Sequence, residues 1–523
     1  MLIDEIIAGN ARRTPHAVGW TFDHRPWTWD EIDRRISAQA DGLRALGLEP
    51  GDRVALFSEN SHVLAELYFA LPRAGLVAVP VNPRSVKNEI DFLLTDVGAR
   101  AFIVAPEFVP RLGDLKSLPL TVDFLIGTGR EAKLHYDLEE LMTAQRSGCA
   151  VSEHCSFPMR AIKYTSGTTG SPKGCISSQN QFLFNLQHYL INMPMDSEDR
   201  CLLALPMAAG VGIYLLSSYA YAGAQTFICE RFKAAEFLDA IEHHRITRFY
   251  AVPTMLNALV AEQKRAPRDL RSLRFVGYGG QAAARVTILQ AMETLGCDLY
   301  QTFGASEAGG FITYLGPADH RAIRDGRPTA ADTLGRAIMP CGREVQGFHV
   351  RIVDADFADV GPNEVGEIVI HSDSTMTGYW NRPEQTAEVL AGDWLRTGDM
   401  GRKDDDGMIY VVDRKRDMII TGGLNVYSLE VENVLYQHDD VLEAAVVGVA
   451  DDCWGERVEA FVVLKRGSED AVHDLQKLCD RMLASYKRPK GYTVLAELPK
   501  TSSGKIRKIE LRNWNGPVVI PSS

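Results

Sequence analysis

The stretch from Tyr164 to Gly174 has the residue types that bind phosphate groups. It reads Tyr-Thr-Ser-Gly-Thr-Thr-Gly-Ser-Pro-Lys-Gly and places three glycines, five Ser/Thr hydroxyls and one lysine within eleven residues. Glycines let backbone N–H groups converge on an anion, hydroxyls donate to phosphate oxygens, and a lysine adds a point charge. The spacing differs from the Walker A pattern Gly-x-x-x-x-Gly-Lys-Ser/Thr. The stretch predicts a triphosphate-binding loop, and a ligand-free surface loop is the alternative.

Two carboxylates end further short motifs. Glu307 closes the run Gln-Thr-Phe-Gly-Ala-Ser-Glu, and Asp399 closes the run Trp-Leu-Arg-Thr-Gly-Asp. A carboxylate beside phosphates is repulsive unless a cation bridges them, so Glu307 implies Mg²⁺, a hard ion that prefers oxygen ligands. Asp399 could accept both hydroxyls of a ribose. A solvated or helix-capping acid at Glu307 and an ordinary turn aspartate at Asp399 are the alternatives.

Two basic segments lie near the C-terminus. Residues 413–417 read Asp-Arg-Lys-Arg-Asp, and residues 499–505 read Pro-Lys-Thr-Ser-Ser-Gly-Lys. The first could be a solvated charge run, which is the usual role of such runs. The second places Lys505 after a flexible turn, where most lysines have no special function. Each motif is ambiguous alone, but their occurrence together and in this order is informative.

The composition is that of an ordinary globular protein. The chain has 523 residues, which is too long for one core and suggests roughly three or four domains. Hydrophobic residues make up 46% and charged residues 24%. The net charge of −12 argues against a nucleic-acid partner. It also means that local positive groups must attract any anionic substrate.

The cysteines and the apolar segments bear on location. Nine scattered cysteines, without a Cys-x-x-Cys motif, suggest reduced thiols in a cytoplasmic setting. The N-terminus lacks the basic and apolar regions of a signal peptide. The stretch from Cys201 to Cys229 carries no charge, but it contains Pro206 and three glycines. We interpret it as a buried strand, a loop and a core helix rather than a membrane span.

Helix-like and strand-like patterns alternate over the first 400 residues. Thr28 to Glu31 form a capping box that begins a helix, which Gly47 ends. Such alternation implies parallel sheets covered on both faces, with ligands at the carboxyl ends of the strands. The other predicted elements are strands at Arg53–Phe57, Leu76–Val81 and Arg248–Val252, and helices at Leu64–Leu71, ended by Pro72, and at Ala234–Ile246.

The pattern changes in the last third of the chain. After about residue 335, short strand-like runs such as His349–Val353 and Glu367–His371 are separated by Gly, Pro and Asp turns. They predict a small antiparallel or barrel-like unit. A second change follows Asp413, where a charged connector leads into a compact unit of roughly a hundred residues. We place the main domain boundary there.

Taken together, the motifs resemble the adenylate-forming superfamily of acyl-CoA synthetases, luciferases and nonribosomal peptide adenylation domains. The resemblance extends from the first helices to Lys505. It implies an α/β fold whose large N-terminal domain, residues 1–413, has two doubly wound sheets and a small β-barrel-like subdomain. A hinge at residues 414–416, with Arg416 at the hinge position, would lead to a small mobile α+β C-terminal lid, residues 417–523.

The resemblance also implies a set of ATP-binding residues. Glu307 is similar to the magnesium ligand of the family, Ser306 to the hydroxyl that touches the α-phosphate, and Lys505 to the lysine that drives adenylation. Phe303 stands where tyrosine is usual, and Gln281 where alanine is usual. The implied ATP and AMP contacts are Thr165, Ser166, Gly167, Thr168, Thr169, Gly170, Lys173, Gly279, Gly280, Gln281, Thr302, Phe303, Asp399 and Arg414.

Within the superfamily, the chain is most similar to aryl-CoA ligases of the 4-chlorobenzoate–CoA ligase type. Coenzyme A carries a phosphorylated nucleotide, which arginine can pair with and stack on, whereas the pantetheine arm of a carrier protein has no nucleotide. The alternative is that Lys487 to Lys490 form only surface charge. The implied coenzyme A contacts are Arg84, Gly422, Gly423, Trp454, Tyr486, Arg488 and Lys490.

The pocket for the acid is specified less well. Ala209 occupies the usual position of a histidine, which leaves the usual gating arrangement in doubt. Tyr278 and Thr302 could hydrogen-bond a ring hydroxyl, which favours an aromatic acid with a polar substituent. His188 could equally be a satisfied core histidine. The implied pocket residues are His188, Ala209, Gly210, Tyr278, Thr302, Gly309 and Gly310.

The resemblance therefore implies an ATP-dependent carboxylic acid–CoA ligase that uses ATP, Mg²⁺ and coenzyme A. An aromatic acid is expected, and a medium-chain or alicyclic acid stays open. The main alternative is a stand-alone adenylating enzyme that loads a carrier protein. A nucleotide-binding regulator without chemistry and a luciferase-like oxygenase are more distant alternatives. We expect small-molecule partners, neither a nucleic acid nor a membrane span, and we leave a homodimer open.

Overall fold

The computed structural model describes residues 3–129, 132, 134–144, 157–165, 172–193, 195–281, 283–326, 339–451, 453–465, 469–500 and 506–516. Packing divides the chain into two compact units. The first comprises Met1–Tyr250, Gly304–Phe311 and Ser372–Leu395, and the second comprises Ala251–Phe303, Ile312–His371 and Arg396–Ser523. The predicted domain boundary at residues 414–416 stays a prediction.

The described residues form fifteen α-helices. They are α1 (Glu5–Arg13), α2 (Trp29–Ala45), α3 (His62–Arg73), α4 (Lys87–Val97), α5 (Leu138–Ala144), α6 (Gln179–Asn192), α7 (Val211–Ala222), α8 (Ala234–His244), α9 (Pro253–Arg265), α10 (Arg285–Leu295), α11 (Pro317–Arg324), α12 (Pro383–Val389), α13 (Ser428–Leu435), α14 (Glu469–Met482) and α15 (Lys508–Arg512).

Within the same residues, twenty-six strands occur. They are β1 (Val18–Phe22), β2 (Arg25–Thr28), β3 (Arg53–Phe57), β4 (Val77–Pro80), β5 (Ala101–Val104), β6 (Phe124–Gly127), β7 (Tyr136–Asp137), β8 (Met159–Thr165), β9 (Lys173–Ser178), β10 (Arg200–Leu203), β11 (Gln225–Ile228), β12 (Arg248–Ala251), β13 (Phe275–Gly279), β14 (Asp298–Ala305), β15 (Gly310–Leu315), β16 (Arg343–Glu344), β17 (His349–Val353), β18 (Gly366–His371), β19 (Leu390–Ala391), β20 (Trp394–Lys403), β21 (Ile409–Arg414), β22 (Ile419–Thr421), β23 (Leu424–Val426), β24 (Val441–Asp451), β25 (Gly455–Leu464) and β26 (Gly491–Val494).

A seven-stranded sheet organises the first unit. Its order is β7-β6-β5-β3-β4-β8-β9. All neighbours are parallel except β8 and β9, which are antiparallel. Apolar side chains such as Phe57, Phe102 and Ile162 form a core with Ile90 and Leu94 of α4. Because β4 and β5 are buried along their whole length and β3 is buried except at Arg53, the sheet confirms the predicted parallel α/β architecture.

A second set of strands in the first unit runs in the order β12-β10-β11-β1-β2. Strand β10 is parallel to both β11 and β12. Between β10 and β11 lies α7, whose residues from Gly212 to Ala220 are buried. The predicted interpretation of residues 201–229 as strand, loop and core helix is confirmed, with β11 as an added strand. None of the helices in the described part combines the length and the apolar character that a bilayer crossing demands.

The helix boundaries test the local predictions. The Thr28 capping box is present, since Thr28 Oγ1 accepts from the Glu31 backbone N–H and Glu31 accepts from that of Thr28. The prediction that Pro72 ends its helix was wrong, because α3 extends from His62 to Arg73. Proline removes a single hydrogen bond there, and Ala74 still donates to Ala70 O. Helix α8 ends two residues earlier than predicted, at His244, where Arg245 takes a left-handed conformation.

In the second unit, two small sheets follow the parallel pair β13 and β14. The first contains β17, β18 and β20 in that order, with β21 paired to β20. It confirms the predicted antiparallel unit after residue 335. The second has the order β23-β22-β25-β24, with β26 parallel to β25. Residues of α13 and α14, such as Val431 and Leu475, pack with Val446 of β24, so the C-terminal part is α+β as predicted.

A buried ion pair fixes the starts of β10 and β12. Arg248 Nη2 lies 2.7 Å from Asp199 Oδ2, and both side chains are almost completely buried. Thr247 Oγ1 donates to the other carboxylate oxygen at 2.6 Å. Asp199→Asn should lower the free energy of unfolding by about 3–5 kcal/mol, measured by urea denaturation, because it leaves a buried guanidinium without its counter-ion.

The matched control for this change is Glu236→Gln, which removes a carboxylate from the exposed pair with Lys233. Exposed pairs contribute only about 0–1 kcal/mol. Equal losses in the two variants would contradict the role of the buried pair.

Candidate active site

The predicted phosphate-binding loop connects two paired strands. Thr165 at the end of β8 lies opposite Lys173 at the start of β9 in an antiparallel hairpin. The loop must therefore leave the sheet at the carboxyl end of β8, which is the edge where ligands bind in such folds. The rest of the predicted loop lies outside the described residues, namely Ser166, Gly167, Thr168, Thr169 and Gly170.

Lys173 is held against an aromatic ring. Its side chain is buried, and Nζ lies 5.2 Å from the ring centroid of Tyr379, within cation–π range. Tyr379 is placed there by backbone pairing with β9, since Trp380 N donates to Gly174 O at 2.8 Å and Ile176 N donates to Gly378 O at 3.0 Å. The lysine and the ring are thus fixed by the same strand.

Glu307 lies next to the same tyrosine. The Tyr379 hydroxyl donates to Glu307 Oε1 at 3.0 Å, and the Cys175 thiol also hydrogen-bonds to this carboxylate. Burial, with the charge of Glu307 as a smaller cause, raises the pKa of Tyr379 and of Cys175. Both groups are therefore neutral donors at physiological pH. Glu307 and Lys173, which are far apart in the sequence, thus both contact Tyr379.

The backbone around Glu307 is clamped from the segment that carries Tyr379. Met376 N donates to Glu307 O at 2.8 Å, and Ser374 Oγ donates to Ala308 O at 2.6 Å. Within the turn, Gly309 N donates to Ser306 O at 3.1 Å. Ser306, predicted to touch the α-phosphate, therefore lies in a turn that several backbone contacts hold.

In the second unit, the predicted adenine turn and the Thr302 region lie side by side. Gly279 pairs with Thr302 across the parallel strands β13 and β14. Gly280 follows with a φ of +83°, a conformation that glycine adopts without strain. Gln281 and Phe303 come directly after these positions and are partly exposed. The turn therefore begins at the carboxyl end of β13, beside Thr302 of β14, and its contact with adenine stays a prediction.

Tyr278 and its neighbours form a closed hydrogen-bond network. The Tyr278 hydroxyl lies 2.9 Å from His320 Nε2 and 3.2 Å from Gln301 Oε1, and the residue is fully buried. Burial lowers the pKa of His320 to about 4, and its Nδ1 lies 2.8 Å from Gly316 O. The neutral ring can therefore donate from Nδ1 and accept the tyrosine proton at Nε2. The Tyr278 hydroxyl, predicted to bind a ring substituent of the acid, is engaged inside the protein.

The two predicted ribose contacts are cross-strand neighbours. Asp399 on β20 pairs with Arg414 on β21, and Arg414 Nε lies 3.3 Å from Asp399 Oδ1. The aspartate is buried and the arginine is half exposed. The backbone N–H of Asp399 donates to Thr397 Oγ1 at 3.1 Å, and this hydrogen bond fixes the backbone at Asp399. The structure brings together these residues, which the sequence separates by fourteen positions.

Hydrogen bonds connect the predicted hinge and the residue before it with residues further along the chain. Asp413 accepts from Ser428 Oγ at 3.0 Å, and Lys508 Nζ donates to the same hydroxyl at 2.6 Å. Arg512 Nη2 donates to Arg416 O at 2.8 Å. Helix α15 therefore contacts both the hinge and the start of α13. The predicted catalytic residue of this region, Lys505, lies outside the described residues.

Some predicted acid-pocket residues lie in the first unit. His188 on α6 stacks on Phe184 at 4.1 Å, and its Nδ1 lies 2.7 Å from Phe184 O, so one ring nitrogen has a local partner. Ala209 and Gly210 end a short 3₁₀ turn before α7. Of the remaining pocket residues, Gly309 and Gly310 belong to the turn after Glu307, whereas Tyr278 and Thr302 belong to the second unit.

Arg84 lines a basic recess in the first unit. The recess has a volume of about 510 Å³ and is lined by Arg84, Ser85, Val86, Lys87 and Arg111. Arg111 donates to Pro83 O, and Lys87 Nζ lies 2.6 Å from Asp91 Oδ2. A second carboxylate, Glu89, accepts from Val86 N at 3.0 Å. Three cations with two adjacent carboxylates leave a small net positive charge, which suits a phosphate group.

The other predicted coenzyme A contacts lie in the C-terminal part of the second unit. Gly422 N donates to Trp454 O at 2.8 Å, and a Cβ at Gly422 would lie only 2.9 Å from the Trp454 ring. Trp454 is 60% exposed, so its face is available for stacking. Gly423 follows with a φ of +78°. Glycine at position 422 therefore avoids a close contact with the Trp454 ring, whereas a Cβ at Gly423 would have no atom within 4 Å.

The remaining predicted coenzyme A contacts in this part of the chain are three residues that follow α14. Arg488 lies 3.1 Å from Asp480 Oδ1 and donates to Leu483 O at 2.9 Å. Lys490 Nζ donates to Ser485 O at 3.3 Å, and Tyr486 is partly exposed. Arg488 is thus oriented by local partners, and its contact with coenzyme A stays a prediction.

Sequence reasoning missed three residues of this site. Tyr379 and Cys175 hydrogen-bond to Glu307. No sequence motif predicts these contacts, because long-range strand pairing brings the two residues to Glu307. Lys163 did carry a signal, since it is a charged residue directly after Ala161-Ile162 in a strand that enters the phosphate loop. Its side chain packs against Gly210, with Cδ 3.5 Å from the position that a Cβ would take.

Comparisons with known proteins agree with this arrangement. Residues 7–380 match the family model of the AMP-binding enzyme, and residues 430–505 match that of the AMP-binding enzyme C-terminal domain. The chain is 34% identical over 510 residues to the feruloyl-CoA synthase of Amycolatopsis sp, with 97% of each chain covered. It is 31% identical over 509 residues to the fatty acid–acyl-carrier-protein ligase ScoC of Streptomyces coeruleorubidus, with 96% and 94% covered.

A solved structure extends the likeness to three dimensions. The anthranilate CoA ligase AuaEII, in complex with anthranoyl-AMP, matches with a TM-score of 0.88 at 25% identity, with 98% of this chain and 97% of that chain covered. The chain belongs to the AMP-binding enzyme family, and the resemblance to the adenylate-forming superfamily is confirmed.

Close backbone packing at Gly309 provides a test of the Glu307 turn. Gly309 has a φ of +80°, and a Cβ there would collide with the carbonyl oxygen of Ser374. Gly309→Ala should lower the melting temperature and reduce turnover together, because the clash displaces Glu307. Gly296→Ala is the matched control, since Gly296 has a φ of +66° and no atom within 4 Å of its Cβ position.

The control carries only the strain of the left-handed conformation, about 1–2 kcal/mol. A Gly309→Ala variant that matches it in melting temperature and keeps normal turnover would contradict the packing role of Gly309.

Proposed function

We propose that this enzyme is an ATP-dependent carboxylic acid–CoA ligase that releases AMP and pyrophosphate. The observation that carries the proposal is the convergence of Lys173 and Glu307 on Tyr379, beside the base of the hairpin that ends in the phosphate loop. A lysine that can pair with phosphate and a carboxylate that can hold a metal thus lie at one place. The chain matches a CoA synthase and a CoA ligase over nearly their whole length, and this similarity supports the reaction class.

Glu307 is suited to a magnesium ion that is shared with the nucleotide. Within the described residues, no group of three or more His, Cys, Asp or Glu side chains could hold a metal ion. Mg²⁺ commonly binds through one or two carboxylates together with substrate phosphates, and a single, partly exposed glutamate matches this pattern. When bound, the ion would supply positive charge to the phosphate oxygens.

In the first half-reaction, a carboxylate oxygen of the acid attacks the α-phosphorus of ATP, and the bond to pyrophosphate breaks. Negative charge develops at the pentavalent phosphorus and on the leaving group. Thr165 and Lys173 hold the phosphates, Ser306 contacts the α-phosphate, and Lys505 neutralises the developing charge. Gly279 to Gln281 and Phe303 lie against adenine, while the Asp399–Arg414 pair binds the ribose.

In the second half-reaction, the thiol of coenzyme A attacks the acyl carbonyl, and AMP leaves. Lys505 must withdraw before the thiol can enter, so the C-terminal part turns about Arg416 as a lid. Arg84 binds a phosphate of coenzyme A in the basic recess. Trp454 and Arg488 stack on its nucleotide, supported by Gly422, Gly423, Tyr486 and Lys490.

An aromatic acid suits the available observations. The feruloyl-CoA synthase and the anthranilate CoA ligase both carry the name of an aromatic acid. His188 stacks on Phe184, so the predicted pocket has flat aromatic surfaces. A medium-chain or alicyclic acid is the alternative within the same reaction class. A cytoplasmic location and a homodimer stay predictions.

A carrier-protein ligase is the second candidate function, because the relative ScoC carries that name. The two functions share the first half-reaction and differ in the acceptor. The basic recess at Arg84 favours coenzyme A, since the pantetheine arm of a carrier protein has no nucleotide phosphates to fill it. Thioester formation with free coenzyme A and with a pantetheinylated carrier protein, measured after adenylation, distinguishes them.

Lys505 provides the test of the two half-reactions. Lys505→Ala should slow acid-dependent exchange of labelled pyrophosphate into ATP by roughly a hundred- to a thousandfold, the usual effect of losing one preorganised donor. Thioester formation from a preformed acyl-adenylate should persist, because the lysine has left the site by then. Lys477→Ala is the control, since Lys477 is exposed and pairs with Asp474, which is also exposed. Equal losses in both half-reactions would contradict the lid arrangement.

Arg84 provides the test of the acceptor. Arg84→Ala should raise the KM for coenzyme A roughly tenfold or more, because charge-assisted hydrogen bonds contribute about 1.5–3 kcal/mol. The KM for 3′-dephospho-coenzyme A should change little if Arg84 binds the 3′-phosphate. Arg271→Ala, which removes an exposed arginine paired with Asp269, is the control. A parallel loss of adenylation would show that Arg84 does not belong to the coenzyme A site.

A further inference from the structure

Strand β8 carries a buried cation that has no partner within the described residues. Arg160 is 1% exposed, and its Nε, Nη1 and Nη2 atoms are all buried without a hydrogen-bond partner. Its guanidinium lies 3.9 Å from the ring centroid of Phe182, a cation–π contact that offsets only part of the lost hydration. Burial lowers the pKa of Arg160 to about 10, so the group keeps its charge at neutral pH. An unpaired charge in this position is costly unless an anion joins it.

A second cation lies three residues further along the same strand. Lys163 is partly exposed, and Nζ lies 3.9 Å from the position that a Cβ would take on Gly210. The Lys163 side chain forms no hydrogen bond or ion pair with any of the described residues. Burial and the charge of Arg160 lower the pKa of Lys163 to about 8, while Cys175 and Glu307 act in the opposite direction. The charges of Glu307 and of the more deeply buried Arg160 thus both act on the pKa of Lys163.

The backbone explains how both cations come to one region. The pairing of β8 with β9 shifts register between Met159 and Ala161, and such an irregularity redirects a side chain from the regular alternation. Arg160 is the residue at this step. The Tyr68 hydroxyl, which lies in the electrostatic range of Arg160, donates to Met207 O at 3.2 Å. Tyr68 therefore connects the surroundings of Arg160 with Met207, which is followed by the predicted pocket residues Ala209 and Gly210.

The chemistry of the reaction limits what the missing anion can be. The nucleotide phosphates have their own lysine, Lys173, at the loop. The reacting carboxylate loses its charge when it becomes a mixed anhydride with AMP. A second anionic group on the acid would keep its charge through both half-reactions. It could therefore neutralise buried cations throughout the cycle.

We propose that Lys163, supported by Arg160, binds a second carboxylate on the substrate, so that this enzyme selects dicarboxylic acids. Glycine at position 210 favours this role, because any side chain there would occupy the space beside the lysine stem. The inference rests on the proposed ligase function and adds the substrate class to it. Lys163 is the specificity-determining contact, and Arg160 is a positioning residue that extends the positive field inward.

Matched pairs of acids test this inference. Adipate is compared with hexanoate, and 3-(4-carboxyphenyl)propionate with 3-phenylpropionate, in ATP–pyrophosphate exchange. The wild-type enzyme should prefer the diacid of at least one pair in kcat/KM by roughly tenfold to a hundredfold, the effect expected of one hydrogen-bonded charge pair. Lys163→Met should lower the ratio of diacid to monoacid by tenfold or more, mainly through KM. Lys163→Arg should restore part of the ratio because it keeps the charge.

Lys233→Met is the matched control, since Lys233 is an exposed lysine on the surface of the same unit. Its ratio should equal that of the wild type. Melting temperatures report whether each variant is folded, and the ratio is measured within one variant, so partial loss of active protein cancels. A wild-type enzyme that prefers the monoacid of both pairs, or a Lys163→Met variant with an unchanged ratio, would overturn the inference.

The same assay separates this inference from the proposed function. If no acid in a broad panel supports exchange in the wild-type enzyme, the ligase function itself is wrong. If monoacids support exchange as well as their diacid partners, the ligase function stands and only the role of Lys163 is wrong. Should Lys163→Met reduce exchange with both acids of a pair by the same factor, the lysine acts on groups that all substrates share.

Discussion

The hydrogen bond from Tyr379 to Glu307 is the interaction on which most of the site depends. It exists only because residues 378–380 pair with β9, the strand that begins at Lys173. The same pairing places the Tyr379 ring beside Lys173. Lys173, proposed to bind phosphate, and Glu307, proposed to bind a metal ion, are therefore positioned by one extended segment, and a displacement of that segment would move both. Because the hydroxyl stays neutral, it orients the carboxylate without cancelling its charge.

Charge is distributed unevenly over this acidic protein. The chain has a net charge of −12, yet Arg160 and Lys163 on β8 have no ion pair among the residues that the structure describes, and further cations line the recess at Arg84. Such local fields can attract anionic substrates even where the global field repels them. Burial makes each cation more effective toward a ligand, since the local dielectric constant is low, but it also makes the empty site costly. Arg160 shows this most clearly, because its whole guanidinium is enclosed.

The sequence predicted the parts of the site that are local in the chain. The capping box at Thr28 and the buried strands of the parallel sheet follow from residue patterns that act over a few positions. The resemblance implied that Asp399 and Arg414 contact one ribose, and strand register makes them direct neighbours. Tyr379 and Cys175 could not be predicted, because only long-range strand pairing brings them to Glu307. The end of α3 was misplaced because proline in a last helical turn removes too little hydrogen bonding to stop the helix.

Tyr278 illustrates a different limit. A tyrosine at the end of a strand beside a predicted pocket is a reasonable ligand contact, but the hydroxyl has a buried histidine within reach. Burial keeps His320 neutral, and a neutral imidazole with its other nitrogen at a carbonyl is an acceptor for one proton. The identity of that partner depends on α11, forty residues away, and no local pattern reveals it.

The contacts around the hinge bear on how the second half-reaction could begin. Asp413 precedes residues 414–416, and its partner Ser428 follows them, so the proposed rotation about Arg416 must either carry this buried contact along or break it. Lys508 ties Ser428 and Glu432 together, and Arg512 reaches back to Arg416 O. Hydrogen bonds to charged groups contribute about 1.5–3 kcal/mol each. Breaking several of them would need an equal gain in the rotated orientation, and coenzyme A in its site is the ligand that could provide it, since a ligand shifts a conformational equilibrium only by its differential affinity for the two states.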